Sequence, residues 1–155
     1  MKVQRVYIDT SVIGGCLDQE FAIWSKGLLK DFQKGNFLLV ISTTVAAEVA
    51  AAYEAVQIQY EDFLSIQPEI LDVTEQAIAL AQAYQVREIL TPKYYTDGLH
   101  IALATVAEVD VLVSWNFKHI VHFNKIRLFN AVNLEMGYKP IQIYSPREVT
   151  SYEVD

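Results

Sequence analysis

VYIDTS, residues 6–11, is an apolar β-branched run that ends on a carboxylate, Asp9, and passes directly to two hydroxyls, Thr10 and Ser11. A strand entering a core does not end on a charge unless that charge caps or holds something. Read outward from it, Val3 to Ile8 is a strand rich in Val, Tyr and Ile. Phe21 to Phe32 carries Phe21, Trp24, Leu28 and Phe32 at helical spacing and stops at Gly35 and Asn36. Phe37 to Ile41 is a second short apolar strand. Thr43 or Thr44 then caps a helix through Ala46 to Val56, with Val45, Val49, Ala52 and Val56 on one stripe. Tyr60 to Ser65 reads as a short helix, Ile70 to Val73 as a third strand and Glu75 to Glu88 as a helix. Thr96 opens a helix running to Glu108. Val109 to Ser114 is a strand, Lys125 to Met136 a helix ended by Gly137, and Ile141 to Tyr144 a last strand. Strands alternating with helices predict an α/β fold, a central parallel sheet covered on both faces. In such sheets ligands bind outside the carboxyl ends of the strands, where Asp9 stands.

The composition sets bounds on function. The 155 residues fit one domain, and 52% of them are hydrophobic, enough for a packed core. Pro68, Pro92, Pro140 and Pro146 are scattered as punctuation, so residues 1–155 read as a single unit without linker or repeat. No apolar run approaches the roughly 18 residues of a membrane helix, and the basic start lacks the apolar stretch of a signal peptide. The one cysteine, Cys16, matches no metal spacing and has no internal partner. A reducing cytoplasm is the expected setting. A net charge of −7 argues against a generic nucleic-acid coat, though not against an enzyme that meets nucleic acid through a bound cation.

Three acids stand in apolar or small-residue company: Asp9, Glu48 in STTVAAEVAAAY, and Asp97 in TDGLHIALATVA. Each has an ordinary use when taken alone. Asp9 can close an Asx turn or cap a helix over Ser11 to Gly15, and Asp97 can favour the positive end of its own helix behind Thr96. Glu48 can face solvent. It fits no capping box, because Val45 stands three residues before it, and it has no basic neighbour at i±3 or i±4. Taken together, three carboxylates at one sheet rim would repel unless a cation sat between them. Hard oxygen donors of this kind select Mg²⁺ or Mn²⁺. Thr10 and Ser11 are placed to orient Asp9 or a metal-bound water.

These segments resemble the PIN-domain family of ribonucleases, in particular the VapC-like toxins of bacterial type II toxin–antitoxin systems. The resemblance runs from VYIDTSVIGG through ISTTVAAEVA and TDGLHIALA to VDVLVSWNFKHI. In that family the first strand ends in Asp followed by Thr or Ser, matching Asp9, Thr10 and Ser11. A Glu on an early helix matches Glu48, and D-x-x-H-I-A matches Asp97 to Ala102. A fourth acid normally follows the next strand; in LVSWNF, Asn116 stands there and brings a carbonyl oxygen but no charge. The resemblance implies a PIN-like three-layer α/β/α fold with four to five parallel strands. It implies phosphodiester cleavage of RNA by a metal-activated water, with Asp9, Glu48 and Asp97 on Mg²⁺ or Mn²⁺ and Asn116 as a weak fourth contributor. A small homodimer and an antitoxin partner are implied as well.

Around Asn116, Trp115 either stacks an RNA base, with Lys118 and His119 at phosphates, or packs under the sheet rim with Lys118 in solvent. His100 either bonds a site carboxylate or lines the core on a backbone partner. Tyr94 and Tyr95 either flank the site or pack a loop behind Pro92, and Arg5 and Lys2 read as surface charge. The helices Phe21–Phe32 and Ala46–Val56 carry more apolar surface than one sheet face needs, which fits a dimer. Asn116 and the acidic charge also fit a PIN-fold binding module without catalysis. A phosphotransfer site of the haloacid-dehalogenase type needs a second Asp two residues after the first, and Ser11 occupies that place.

Overall fold

The computed structural model describes residues 2–152. Five strands, β1 (Arg5–Ile8), β2 (Leu38–Ser42), β3 (Glu69–Leu71), β4 (Val111–Val113) and β5 (Ile143–Tyr144), form one sheet in the order β3-β2-β1-β4-β5. Every pairing is parallel, with Tyr7 opposite Val40 on one side and Leu112 on the other. The central strands are buried on both faces, which is why they read as continuous apolar runs.

Right-handed crossovers and this strand order assign the helices to layers. The chain moves one way from β1 to β3 through α1 (Thr10–Gly15), α2 (Ala22–Gln33), α3 (Thr43–Ala50) and α4 (Glu54–Leu64). It then crosses back and moves the other way through α5 (Glu75–Val86), α6 (Tyr95–Val106) and α7 (Phe123–Glu135). Helices α1 to α4 pack on one another, as do α5 to α7, giving the expected α/β/α layering. The direction reverses between β1 and β4, so the carboxyl ends of those strands form the cleft such folds use for ligands.

Most expected elements are present with shifted ends, and four differences carry a physical reason. The expected helix through Val56 breaks after Ala50. Alanine-rich sequence favours continuation, but Gln57 Nε2 donates to the carbonyls of Ala50 and Ala52, and α4 starts in a new direction that buries Phe63 completely. The cap of α3 is Ser42, whose Oγ accepts from Val45 N at 3.2 Å, rather than Thr43 or Thr44. Helix α6 begins one residue before Thr96, on a 3-10 turn over Pro92–Tyr94, so Thr96 caps nothing. A short helix unmarked in the sequence, α8 (Pro146–Val149), is fixed by a capping box of Ser145 and Glu148 and packs on α2. Arg5 is not a loose surface charge: it grips Glu69 with a bidentate pair at 2.8 and 2.9 Å and donates to the Ala107 carbonyl at 2.8 Å. It thereby ties the amino end of β1 to β3 and to the end of α6. Among the described residues no helix is long and apolar enough to cross a membrane.

Candidate functional site

Asp9 follows β1 and stands at the N-cap position of α1, yet its carboxylate caps no helix N–H. It is 4% exposed, with one oxygen held from α1 and the other from the end of β4. Ser11 Oγ donates to Oδ1 at 2.5 Å and Ser114 Oγ donates to Oδ2 at 2.6 Å. Each hydroxyl in turn accepts a backbone N–H from the loop after β4, Trp115 N on Ser11 and Asn116 N on Ser114, both at 2.9 Å. Two short relays thus fasten the residue-114–116 backbone to one carboxylate. The helix-cap use of Asp9 is set aside by this geometry. Ser114 is a site residue that sequence reasoning passed over; its signal is a lone hydroxyl ending an apolar strand beside the strand that ends in Asp9.

Glu48 lies on α3, turned toward α1 and α6. Its Oε1 accepts from Thr10 Oγ1 at 2.9 Å and from His100 Nε2 at 2.6 Å. His100, on α6, is 2% exposed, and its Nδ1 lies 2.6 Å from the Tyr7 hydroxyl, which lies 2.8 Å from Ser42 Oγ. Side chains of β1, β2, α1, α3 and α6 are therefore linked in one polar chain, Ser42–Tyr7–His100–Glu48–Thr10. His100 bonds a site carboxylate rather than a backbone group. Helical register places it three residues after Asp97, but only the fold shows that the face carrying it meets Glu48.

The charges interlock. Burial would push the His100 pKa down, but the Glu48 hydrogen bond and the charges of Asp9, Glu48 and Asp97 outweigh it, and the pKa is raised. With both ring nitrogens protonated, His100 donates to Glu48 and to Tyr7, and the tyrosine hydroxyl donates its hydrogen bond to Ser42 Oγ. Burial raises Asp9 against the opposing pull of His100, Ser11 and Ser114. Asp97, in the first turn of α6 and half-buried, is also raised by burial, opposed by His119, His100 and the Asn116 side chain. For Glu48, the His100 contacts and Thr10 overcome burial and hold the carboxyl below its usual range. All three acids thus sense the same histidine, and Asp9 and Asp97 both sense Glu48.

Asn116 is pinned. Its Oδ1 accepts from His119 N at 3.0 Å. Its carbonyl oxygen therefore closes the turn at residues 116–119 instead of standing free over the cleft. Trp115 packs beneath the rim: it is 7% exposed, stacks on Phe21 at 4.1 Å and donates Nε1 to Ser25 Oγ at 2.8 Å. Lys118 is exposed, whereas His119 is 7% exposed and lies against the Tyr94 ring, tilted by 33° with centroids 3.8 Å apart. Among the described residues no group of three His, Cys, Asp or Glu side chains is gathered as a metal-ligating set.

No protein-family model matches the chain, and no curated protein matches it. Among solved structures it is similar to VapBC2 from Rickettsia felis, crystallised with a DNA fragment from its promoter. The TM-score is 0.58 at 15% identity over 91% of this chain and 98% of that one. It is equally similar to FitAcB from Neisseria gonorrhoeae, with TM-score 0.59 at 15% identity over 93% and 99% of the two chains. Identity this low establishes a shared fold.

Proposed function

We propose, from the premise that this chain has the fold of the PIN-domain, VapC-like toxins of toxin–antitoxin pairs, that it is a divalent-metal-dependent endoribonuclease paired with a small antitoxin protein. The observation that carries the reading is that Asp9, Glu48 and Asp97, from three distant parts of the chain, all act on one buried histidine beside the topological switch point, with Glu48 hydrogen-bonded to it.

The three carboxylates are not gathered into one direct ligand set, but their oxygen chemistry suits a hard cation held through water. Asp9 is a buried carboxyl and Asp97 a half-buried one, the charged form of each wants a positive partner, and both oxygens of Asp9 keep a lone pair beyond the hydrogen bond each already accepts. Asp9, Glu48 and Asp97 would hold Mg²⁺ or Mn²⁺ largely through water, as Mg²⁺ prefers. Such an ion supplies a water of lowered pKa and neutralises charge on a phosphate. The chain's own residues do the positioning. Ser11 and Ser114 fix both oxygens of Asp9. His100 and Thr10 fix Oε1 of Glu48 and leave Oε2 free. Asn116, beside Asp97, lowers the Asp97 pKa against burial and brings no fourth charge. The imidazolium of His100 offsets part of the repulsion that three acids would feel before a cation arrives.

The test is cleavage of RNA in Mn²⁺ by the wild type and by Asp9→Asn. Loss of cleavage in the variant is expected; equal rates would remove the assignment. A second reading, a PIN-fold module that binds without cutting, is favoured by the engaged carbonyl of Asn116. Calorimetric titration with Mn²⁺ separates the two, since a module without a metal centre gives no binding heat. The expected homodimer belongs to the same proposal and is read by sedimentation.

A further inference from the structure

The loop after β4 sends its side chains to opposite sides of the carboxylate cleft. On one side is an aromatic shelf. Phe21 stacks on Trp115, and Phe117 meets both edge-on, at 6.3 and 6.0 Å. Trp115 is fixed from beneath through Ser25, whose Oγ donates to the Val12 carbonyl at 2.8 Å. Phe117 is 49% exposed on this rigid support. On the other side is a cluster of cations. The ammonium groups of Lys93 and Lys118 lie 5.6 and 5.8 Å from the centre of the Tyr94 ring, and Lys125 Nζ lies 3.4 Å from His119 Nδ1. Between the two sides stands Asn116, beside Asp97.

This distribution runs against the molecule's charge. The chain carries −7, yet three of its 12 lysines and arginines gather within reach of one tyrosine–histidine pair beside the acids. A protein partner would match either an exposed ring or a basic patch. A ring and a row of ammonium groups on either side of a carboxylate cleft match a polymer that alternates flat bases with phosphates.

We propose that Phe117 is a base-stacking platform, and Lys93, Lys118 and Lys125 are phosphate seats, for single-stranded RNA laid across the loop at residues 114–122. The proposal rests on the ribonuclease reading for the choice of RNA, but binding can be measured apart from cleavage. The probe is a fluorescent single-stranded RNA of about 12 nucleotides, followed by anisotropy with the metal-free protein in EDTA, beside a hairpin duplex of the same bases. Phe117→Ala weakens single-strand binding on the order of tenfold, the effect of one lost stacked base. Phe117→Tyr keeps binding near wild type, and duplex binding is unchanged by either variant. Lys118→Ala and Lys125→Ala each lower the slope of log K against log salt by about 0.7. Because Phe117 is half exposed, an unchanged melting temperature in Phe117→Ala shows that the variant is folded.

The proposal is overturned if Phe117→Ala binds the single strand like wild type, if it loses single strand and duplex alike, or if the wild type binds no RNA. A Phe117→Ala effect confined to assembly with a protein partner also overturns it. Binding as described without cleavage in Mn²⁺ leaves the platform standing and removes the nuclease. Cleavage with no dependence of binding on Phe117 does the reverse.

Discussion

At the scale of single residues the molecule handles buried charge in two ways. In the cleft, the buried His100 is held between the Tyr7 hydroxyl and Glu48, a partner that is itself 39% exposed, where a charged imidazole left unpaired would be costly to bury. Away from the cleft, Asp31 on α2 is 1% exposed and accepts from Asn36 Nδ2 at 2.9 Å, Thr150 Oγ1 at 2.7 Å, Ser151 N at 2.9 Å and the Ser151 hydroxyl. Burial pushes its pKa up, but the four hydrogen bonds together bring it below the usual value. A native pKa below the unfolded one gives stability that is full above the unfolded carboxyl's ~3.9 and fades as pH falls through the native value. Asp31→Asn is therefore expected to cost about 1–3 kcal/mol at neutral pH. The gap to wild type should narrow as the solution is made more acidic than about pH 4. Urea midpoints at neutral and acid pH check both parts. A gap that widens in acid would contradict the assignment of a charged Asp31.

At the scale of elements, α1 shows how little space the site's frame leaves. A methyl group added at Gly15 would lie 2.5 Å from both Ser25 Oγ and Trp115 Nε1, the two atoms that hydrogen-bond each other. Neither can yield, because Ser25 is bound to Val12 and Trp115 is stacked on Phe21. Gly15→Ala is expected to destabilise by about 1–3 kcal/mol through overpacking, and to shift tryptophan fluorescence as the Trp115 bond breaks. Thermal unfolding and emission spectra test this; an unshifted spectrum and an unchanged melting point would show that α1 and α2 can move apart freely. The break between α3 and α4 belongs to the same scale. Local propensity asks for one helix, and side-chain capping by Gln57 with the burial of Phe63 decides for two.

At the scale of the whole molecule, the proposed cation would bind the folded chain alone, since Asp9, Glu48 and Asp97 act on one histidine only when the sheet forms. Ligand linkage then adds stability of about 2.7 kcal/mol at a metal concentration one hundred times the dissociation constant. Mn²⁺ is expected to raise the melting temperature of wild type, EDTA to return it, and Asp9→Asn to remove the response. A rise of equal size in the variant would place the ion elsewhere.

The layered parallel architecture could be read from the chain because short apolar strands, helical periodicity and turn residues are local properties that the fold leaves intact. VYID ending on a charge was enough to mark the rim of the sheet. Asp9, Glu48 and Asp97 stood out because each stands in apolar or small-residue company, and Glu48 fits neither a capping box nor a helical ion pair. What sequence could not decide is where side chains meet across elements. That Ser114 holds Asp9, that His100 faces Glu48 instead of the core, that Trp115 lies beneath Phe21 while Phe117 emerges, and that Asn116 spends its carbonyl on His119 are all outcomes of strand register and helix rotation. Those quantities are set by the packing of residues distant in the chain, and no spacing along it encodes them.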